Sequence, residues 1–175
     1  DKFFKNISEH AKDYILMLED QIDHLNDIGL ALSSEKEMPK LLEMILEEAK
    51  RITNCDGRTL YIMTDNKRLK FEIVRTDSLK FHMGGTSGKE IPFYPIKLYN
   101  DDGKPNKSMI AAYAGLTGET INIPDAYKAK GFDFSGTKMF DEKTGYHSQS
   151  FLTVPLKNHE DEIIGVLQLL NAQNN

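Results

Sequence analysis

Apolar residues recur along residues 4–32 at Phe4, Ala11, Ile15, Leu18, Ile22, Leu25 and Leu32, in steps of three, four and seven. This a/d-like spacing predicts a helix with one narrow apolar stripe and charged residues on its other faces. Such a stripe suits a helix partner better than a broad core. Ser8 and Gly29 interrupt it and limit the seam to about three heptads. An amphipathic helix lying on its own domain has the same pattern, so both readings stand. Ser34 and Glu37 form a capping-box pattern, in which each side chain reaches the other residue's free backbone N–H. From there Met38, Leu41, Leu42, Ile45, Ala49 and Ile52 mark one apolar face of a second helix down to about Thr53. The turn Asn54-Cys55-Asp56-Gly57 is expected to end it.

The period then changes to two. Thr59 to Thr64 and Leu69 to Val74 flank the turn formers Asp65-Asn66-Lys67 and predict an antiparallel hairpin. Residues 76–89 hold three glycines and read as a loop. Ile91 to Leu98 resembles a strand broken by Pro92 and Pro95, which cannot donate ladder hydrogen bonds, so it belongs at a sheet edge. A short helix over residues 108–116 and a short strand over 120–123 follow. Residues 125–147 form an irregular segment, long enough to be functional. Ser150 to Leu156 and Glu162 to Leu170 flank a polar turn, and Ile163 to Leu167 is apolar on both faces, which predicts a strand in the middle of the sheet. This order predicts an α+β layer fold: a mostly antiparallel sheet of five or six strands, helices segregated to one face, and a cavity under the irregular segment on the other.

Composition narrows the functional classes. A chain of 175 residues that is 39% hydrophobic and 28% charged fits one globular domain plus an extra helix. No apolar run approaches the roughly 18 residues of a membrane span, and charges in DKFFKNISEH replace the apolar stretch of a signal peptide. A net charge of −5 without a basic cluster argues against nucleic acid as a partner. The lone Cys55 cannot form an internal disulfide, which points to a cytoplasmic location. The sequence starts at Asp1 without a methionine and stops just after an apolar segment, so it is expected to be a piece of a longer protein.

No catalytic constellation emerges. Gly84-Gly85-Thr86-Ser87-Gly88-Lys89 lacks the spacing of a phosphate loop, and Glu90 follows where Ser or Thr is required. His10, His24, His82, His147 and His159 show no metal-binding spacing, so no metal and no obligatory cofactor are expected. Asp141 and Thr144, three apart beside Gly145, can point inward from one tight turn. Gln168 stands alone in the apolar run Ile163 to Leu170, and a buried amide costs about 1–3 kcal/mol unless its hydrogen bonds are met. A ligand edge, a neighbouring backbone or an ordered water can each meet them.

Three segments in order, TGETINIPDAY (117–127), FDEKTGYHSQSFLTVPLKN (140–158) and EIIGVLQLLN (162–171), resemble the signature segments of a GAF domain. The likeness covers roughly residues 24–173 and is closest to the cyclic-nucleotide-binding type found in phosphodiesterases, cyclases and bacterial HD-type signalling phosphohydrolases. It implies a six-stranded antiparallel sheet with the terminal helices on one face and a lidded ligand pocket on the other. It also implies pocket roles for Ile110, Ala111, Asp141, Thr144 and Ser148, with Gln168 facing a purine from the last strand. Two departures weaken the likeness to phosphodiesterases: Ala172 follows Asn171 where those domains carry a lysine, and Gln168 is a neutral amide where an acidic residue is common. Family members that reduce methionine sulfoxide need a second cysteine, and bilin carriers need one placed at the pocket; Cys55 fits neither.

On this reading residues 1–33 are a signalling and dimerisation helix and 34–175 a sensor domain without catalytic residues. Its expected partners are a small polar ligand such as a cyclic nucleotide, a second copy of the chain through the first helix, and an output domain beyond Asn175. The alternative is a GAF-like dimerisation module with a closed or vestigial pocket and no ligand.

Overall fold

A computed structural model describes the backbone of residues 2–173 and the side chains of residues 10–31 and 33–173. The seam positions Phe4, Ser8 and Leu32 therefore lie outside the residues whose side chains are described. Two compact units divide the chain, residues 1–41 and 42–175.

In the first unit α1 runs over Lys2–Ser34, two residues longer at each end than the apolar stripe predicts. The Ser34–Glu37 capping box does not form. Ser34 stays in the last turn of α1 and donates its hydroxyl to Ala31 O at 2.9 Å. Glu35 Oε1 instead accepts the N–H groups of Lys36 and Glu37 at 2.8 Å each, in the link before the next helix. The next helix, α2, spans Met38–Thr53.

In the second unit the strands are β1 (Cys55–Met63), β2 (Arg68–Thr76), β3 (Phe81–Gly84), β4 (Ile96–Lys97), β5 (Ile121–Ile123), β6 (Phe151–Lys157) and β7 (Ile163–Ala172). Their order is β3-β2-β1-β7-β6-β5, with the short β4 against the start of β2, and every pairing is antiparallel. The last strand is central, as its two apolar faces require. Leu46 of α2, fully buried, packs on Leu60, Ile73, Leu167 and Leu169, the residues that alternate strands present to one face. Arg58, also on that face, is buried between Glu47 of α2 at 3.0 Å and Asp77 at 3.0 Å. The opposite face carries α3 (Ile110–Thr117) and α4 (Ser135–Thr144).

Four local readings are corrected. Only Asn54, with φ 49°, makes the turn after α2; Cys55, Asp56 and Gly57 already belong to β1, Cys55 and Gly57 standing opposite Ala172 and Leu170 of β7. The loop over 76–89 contains β3, which pairs with β2 and ends at Gly84, where φ is 74° and an added Cβ would sit 2.0 Å from Glu72 O. Ile91 to Leu98 is strand only at Ile96–Lys97, beyond its two prolines. The irregular segment 125–147 holds the ten-residue helix α4, whose polar sequence gives a weak apolar stripe.

Candidate functional site

On the sheet face away from α2, a cavity of about 530 Å³ opens beneath α3 and α4, within the size range of small-molecule sites. Strand alternation sets its floor: Gly57, Thr59 and Tyr61 of β1, Val74 and Thr76 of β2, and Gln168 and Leu170 of β7. Met109, Ile110 and Ala111 at the start of α3 form one wall, and Phe134 to Thr137 with Phe140 of α4 another. Phe71, Phe81 and Phe93 add aromatic surface, the Phe71 ring lying 5.3 Å from that of Phe93 and 4.7 Å from that of Tyr61. The lining is thus mostly apolar, with a few polar groups that can orient a ligand.

Gln168 is the main polar group of the floor. Its Oε1 accepts the Tyr61 hydroxyl at 3.2 Å, and its Nε2 donates to Thr153 Oγ1 at 3.1 Å. The amide is therefore met by two side chains rather than by backbone. Register explains Thr153: it stands opposite Gln168 on β6, as Thr59 does on β1, so a polar row crosses the three central strands. A primary amide has two N–H donors and two carbonyl lone pairs. The two bonds use one of each.

Of the other residues singled out by resemblance, the structure brings Ile110, Ala111 and Ser148 to the cavity with Gln168. Asp141 and Thr144 do not line it. They lie in the last turns of α4, where helical geometry directs them differently from the tight turn expected of the sequence. Asp141 is buried behind the wall, accepting the Ser148 N–H at 2.7 Å, the Ser148 hydroxyl at 2.8 Å and the Tyr127 hydroxyl at 2.6 Å. Thr144 is exposed and returns its hydroxyl to Phe140 O at 2.7 Å.

Three tyrosines that sequence reasoning missed hold the site together. Tyr146 lines the cavity and donates to Asp56 Oδ2 at 2.7 Å, tying the segment after α4 to β1. Asp56 also receives the Ser78 N–H and hydroxyl, at 2.9 and 2.7 Å. Tyr127 carries the stacked His147 ring 4.5 Å away. Burial raises the Tyr61 hydroxyl well above the usual tyrosine range, and burial with the Asp56 bond does the same for Tyr146. The bond to Asp141 pushes Tyr127 up to about 12. All three remain protonated donors at neutral pH. Their partners lie 14 to 107 residues away, so the only sequence signal was the place of Tyr127 and Tyr146 within the segments 117–127 and 140–158.

Cys55, the sole cysteine, is buried on the α2 side, where burial raises its thiol. Among the described residues no group of His, Cys, Asp and Glu is placed to hold a metal ion, and no helix is long and apolar enough to cross a membrane. The site offers shape, aromatic surface and hydrogen bonds.

The family model of the GAF domain matches residues 37–175. The chain belongs to the GAF domain family. GAF domains are small-molecule-binding regulatory modules of signalling proteins. The fold agrees with two solved GAF domains from phosphoenolpyruvate-protein phosphotransferases. The Acinetobacter domain is 18% identical, with TM-score 0.59 over 89% of this chain and 78% of that one. The Coxiella burnetii domain is 14% identical, with TM-score 0.61 over 87% and 77%. Among curated proteins, a dual 3',5'-cyclic-AMP and -GMP phosphodiesterase 11A of Takifugu rubripes is 44% identical over 62 residues, which are 35% of this chain and 6% of that protein.

Proposed function

We propose that this GAF domain is a cytoplasmic sensor that binds a small, planar, polar ligand, with a cyclic nucleotide as the leading candidate, and that it has no catalytic activity of its own. The observation that carries the reading is the Gln168 amide, held by Tyr61 and Thr153 in the floor of an aromatic cavity with one donor and one acceptor to spare. An adjacent donor and acceptor on a heterocycle edge complements that pair. The partial likeness to a cyclic-nucleotide phosphodiesterase supports the choice of ligand. Contacts of a bound ligand with α3 and α4, which lie over it, would favour the closed arrangement of the lid. The resulting change passes through the flanking helices to an output domain, to the extent that the ligand prefers one state over the other.

The test is titration of the domain with cyclic AMP, cyclic GMP and related purines, followed by calorimetry and thermal shift. A ligand at one hundred times its dissociation constant stabilises the fold by about 2.7 kcal/mol. Gln168→Ala should weaken binding, whereas Thr144→Ala, outside the cavity, should not. Absence of any shift across the series would leave the dimerisation module with a ligand-free pocket as the better reading.

A further inference from the structure

We propose that the α2 side of the sheet holds a second site, for a small phosphate-type oxyanion, independent of what fills the aromatic cavity. Three basic side chains stand in one row across neighbouring strands: Arg58 of β1 opposite Arg75 of β2, and Arg75 opposite His82 of the edge strand β3. Residues in such a row share a face, here the one that α2 covers. With Lys80 of the β2–β3 turn they line a hollow of about 320 Å³. Like charges set directly opposite are destabilising, and carboxylates offset them. Glu47 pairs with both arginines, Asp77 with Arg58 and Lys50, and Glu43 with Arg75 at 3.1 Å. Three carboxylates thus balance three cations. Lys80, which forms no ion pair among the described residues, is left over.

The unmet donors converge on the same hollow. Among the described residues, the buried side-chain nitrogens and oxygens without a hydrogen-bond partner are Arg58 Nε, Arg75 Nε and His82 Nε2, and all three residues line it. Arg58 is only 3% exposed. His82 Nε2 lies 3.8 Å from Glu43 Oε1, beyond hydrogen-bond reach. Buried donors without an acceptor are costly, so an occupant with several acceptor oxygens is favoured there. The terminal nitrogens of both arginines are already taken by carboxylates. What remains is one N–H on each of several residues, together with the Lys80 ammonium. Such separate donors suit the divergent oxygens of a tetrahedral anion better than the two parallel oxygens of a carboxylate, which match an arginine fork.

Titration of the whole chain with inorganic phosphate, followed by amide chemical shifts against potassium chloride at equal ionic strength, should give saturable shifts at residues 75–82. Acetate should bind more weakly. Methyl phosphate reproducing the shifts would support a phosphate ester as the occupant, and shifts with inorganic phosphate alone would support the free ion. Lys80→Gln should weaken phosphate binding about fivefold, through loss of one exposed charge, and Lys80→Arg should restore it. Lys80 is exposed, so both variants should unfold like the native chain when phosphate is left out. Shifts no larger than those with chloride, acetate binding as tightly as phosphate, an unchanged affinity in Lys80→Gln, or shifts confined to the residues that line the aromatic cavity would each overturn the proposal.

Discussion

Asp141 and Ser148, seven residues apart, are joined twice: the Ser148 N–H reaches Oδ2 at 2.7 Å and the Ser148 hydroxyl reaches Oδ1 at 2.8 Å. This pair of hydrogen bonds closes the end of α4 onto the segment leading into β6, and Tyr127 adds a third donor at 2.6 Å. Asp141→Ala leaves these donors without an acceptor in a buried place, and should cost about 3 kcal/mol in urea denaturation. Limited proteolysis should speed up within residues 125–148. A variant of unchanged stability that had lost ligand binding would instead make the carboxylate a direct ligand contact.

Gln168 and Tyr61 form a coupled pair. Gln168→Leu strands the buried Tyr61 hydroxyl, at a cost of about 1–3 kcal/mol. Adding Tyr61→Phe removes the stranded group and should recover part of that loss. A double-mutant cycle by chemical denaturation should therefore show a coupling of about 1 kcal/mol. Strict additivity would mean that the 3.2 Å contact contributes nothing.

Gly165 permits the close approach of β7 to β1. A Cβ there would sit 2.4 Å from the Tyr61 carbonyl oxygen, so Gly165→Ala should lose about 2–3 kcal/mol by forcing the strands apart. Gly136 in α4 has open space around its Cβ direction. Gly136→Ala should be neutral or gain up to about 1 kcal/mol from helix propensity. Thermal unfolding of the two variants in parallel checks the contrast.

The charges that join α2 to the sheet set an acid limit. Burial opposes ionisation of Asp77, but hydrogen bonds from Lys50 and Arg58 hold its carboxyl below the usual range. For Glu43 burial is likewise outweighed, by the Thr86 N–H and hydroxyl and by Arg75. A lowered folded-state value means stability that is present above the unfolded value and is lost as pH falls through the folded one. The melting temperature should hold down to about pH 4 and decline below it. Asp77→Asn should lower it at neutral pH and flatten the acid limb.

Local periodicity carried much of the fold. The helix α1, the existence of α2, the β1–β2 hairpin and the central place of β7 all depend on residues close in sequence, and the ordered GAF-like segments made the layer arrangement legible; the face expected of α2 was only partly right, since Met38 and Ile52 are exposed and Leu46, outside that face, is the residue fully buried. β3 and α4 were not legible. The glycines around β3 imitate a loop, and α4 is a polar helix whose Asp141 is held by Ser148 and Tyr127, seven and 14 residues away.

Gln168 shows the same division at the site. Its isolation in an apolar strand marked it in the sequence, but its partners lie 107 and 15 residues away and were fixed only by strand register. Asp141 was marked too, yet its direction depended on whether its segment was a turn or a helix. The sequence alone determined most of the elements, β3 and α4 apart, and which polar residues were out of place, because those follow from patterns a few residues long. Tertiary structure decided which groups face the cavity and which fasten its lid, because that depends on pairings between strands and loops far apart in the chain.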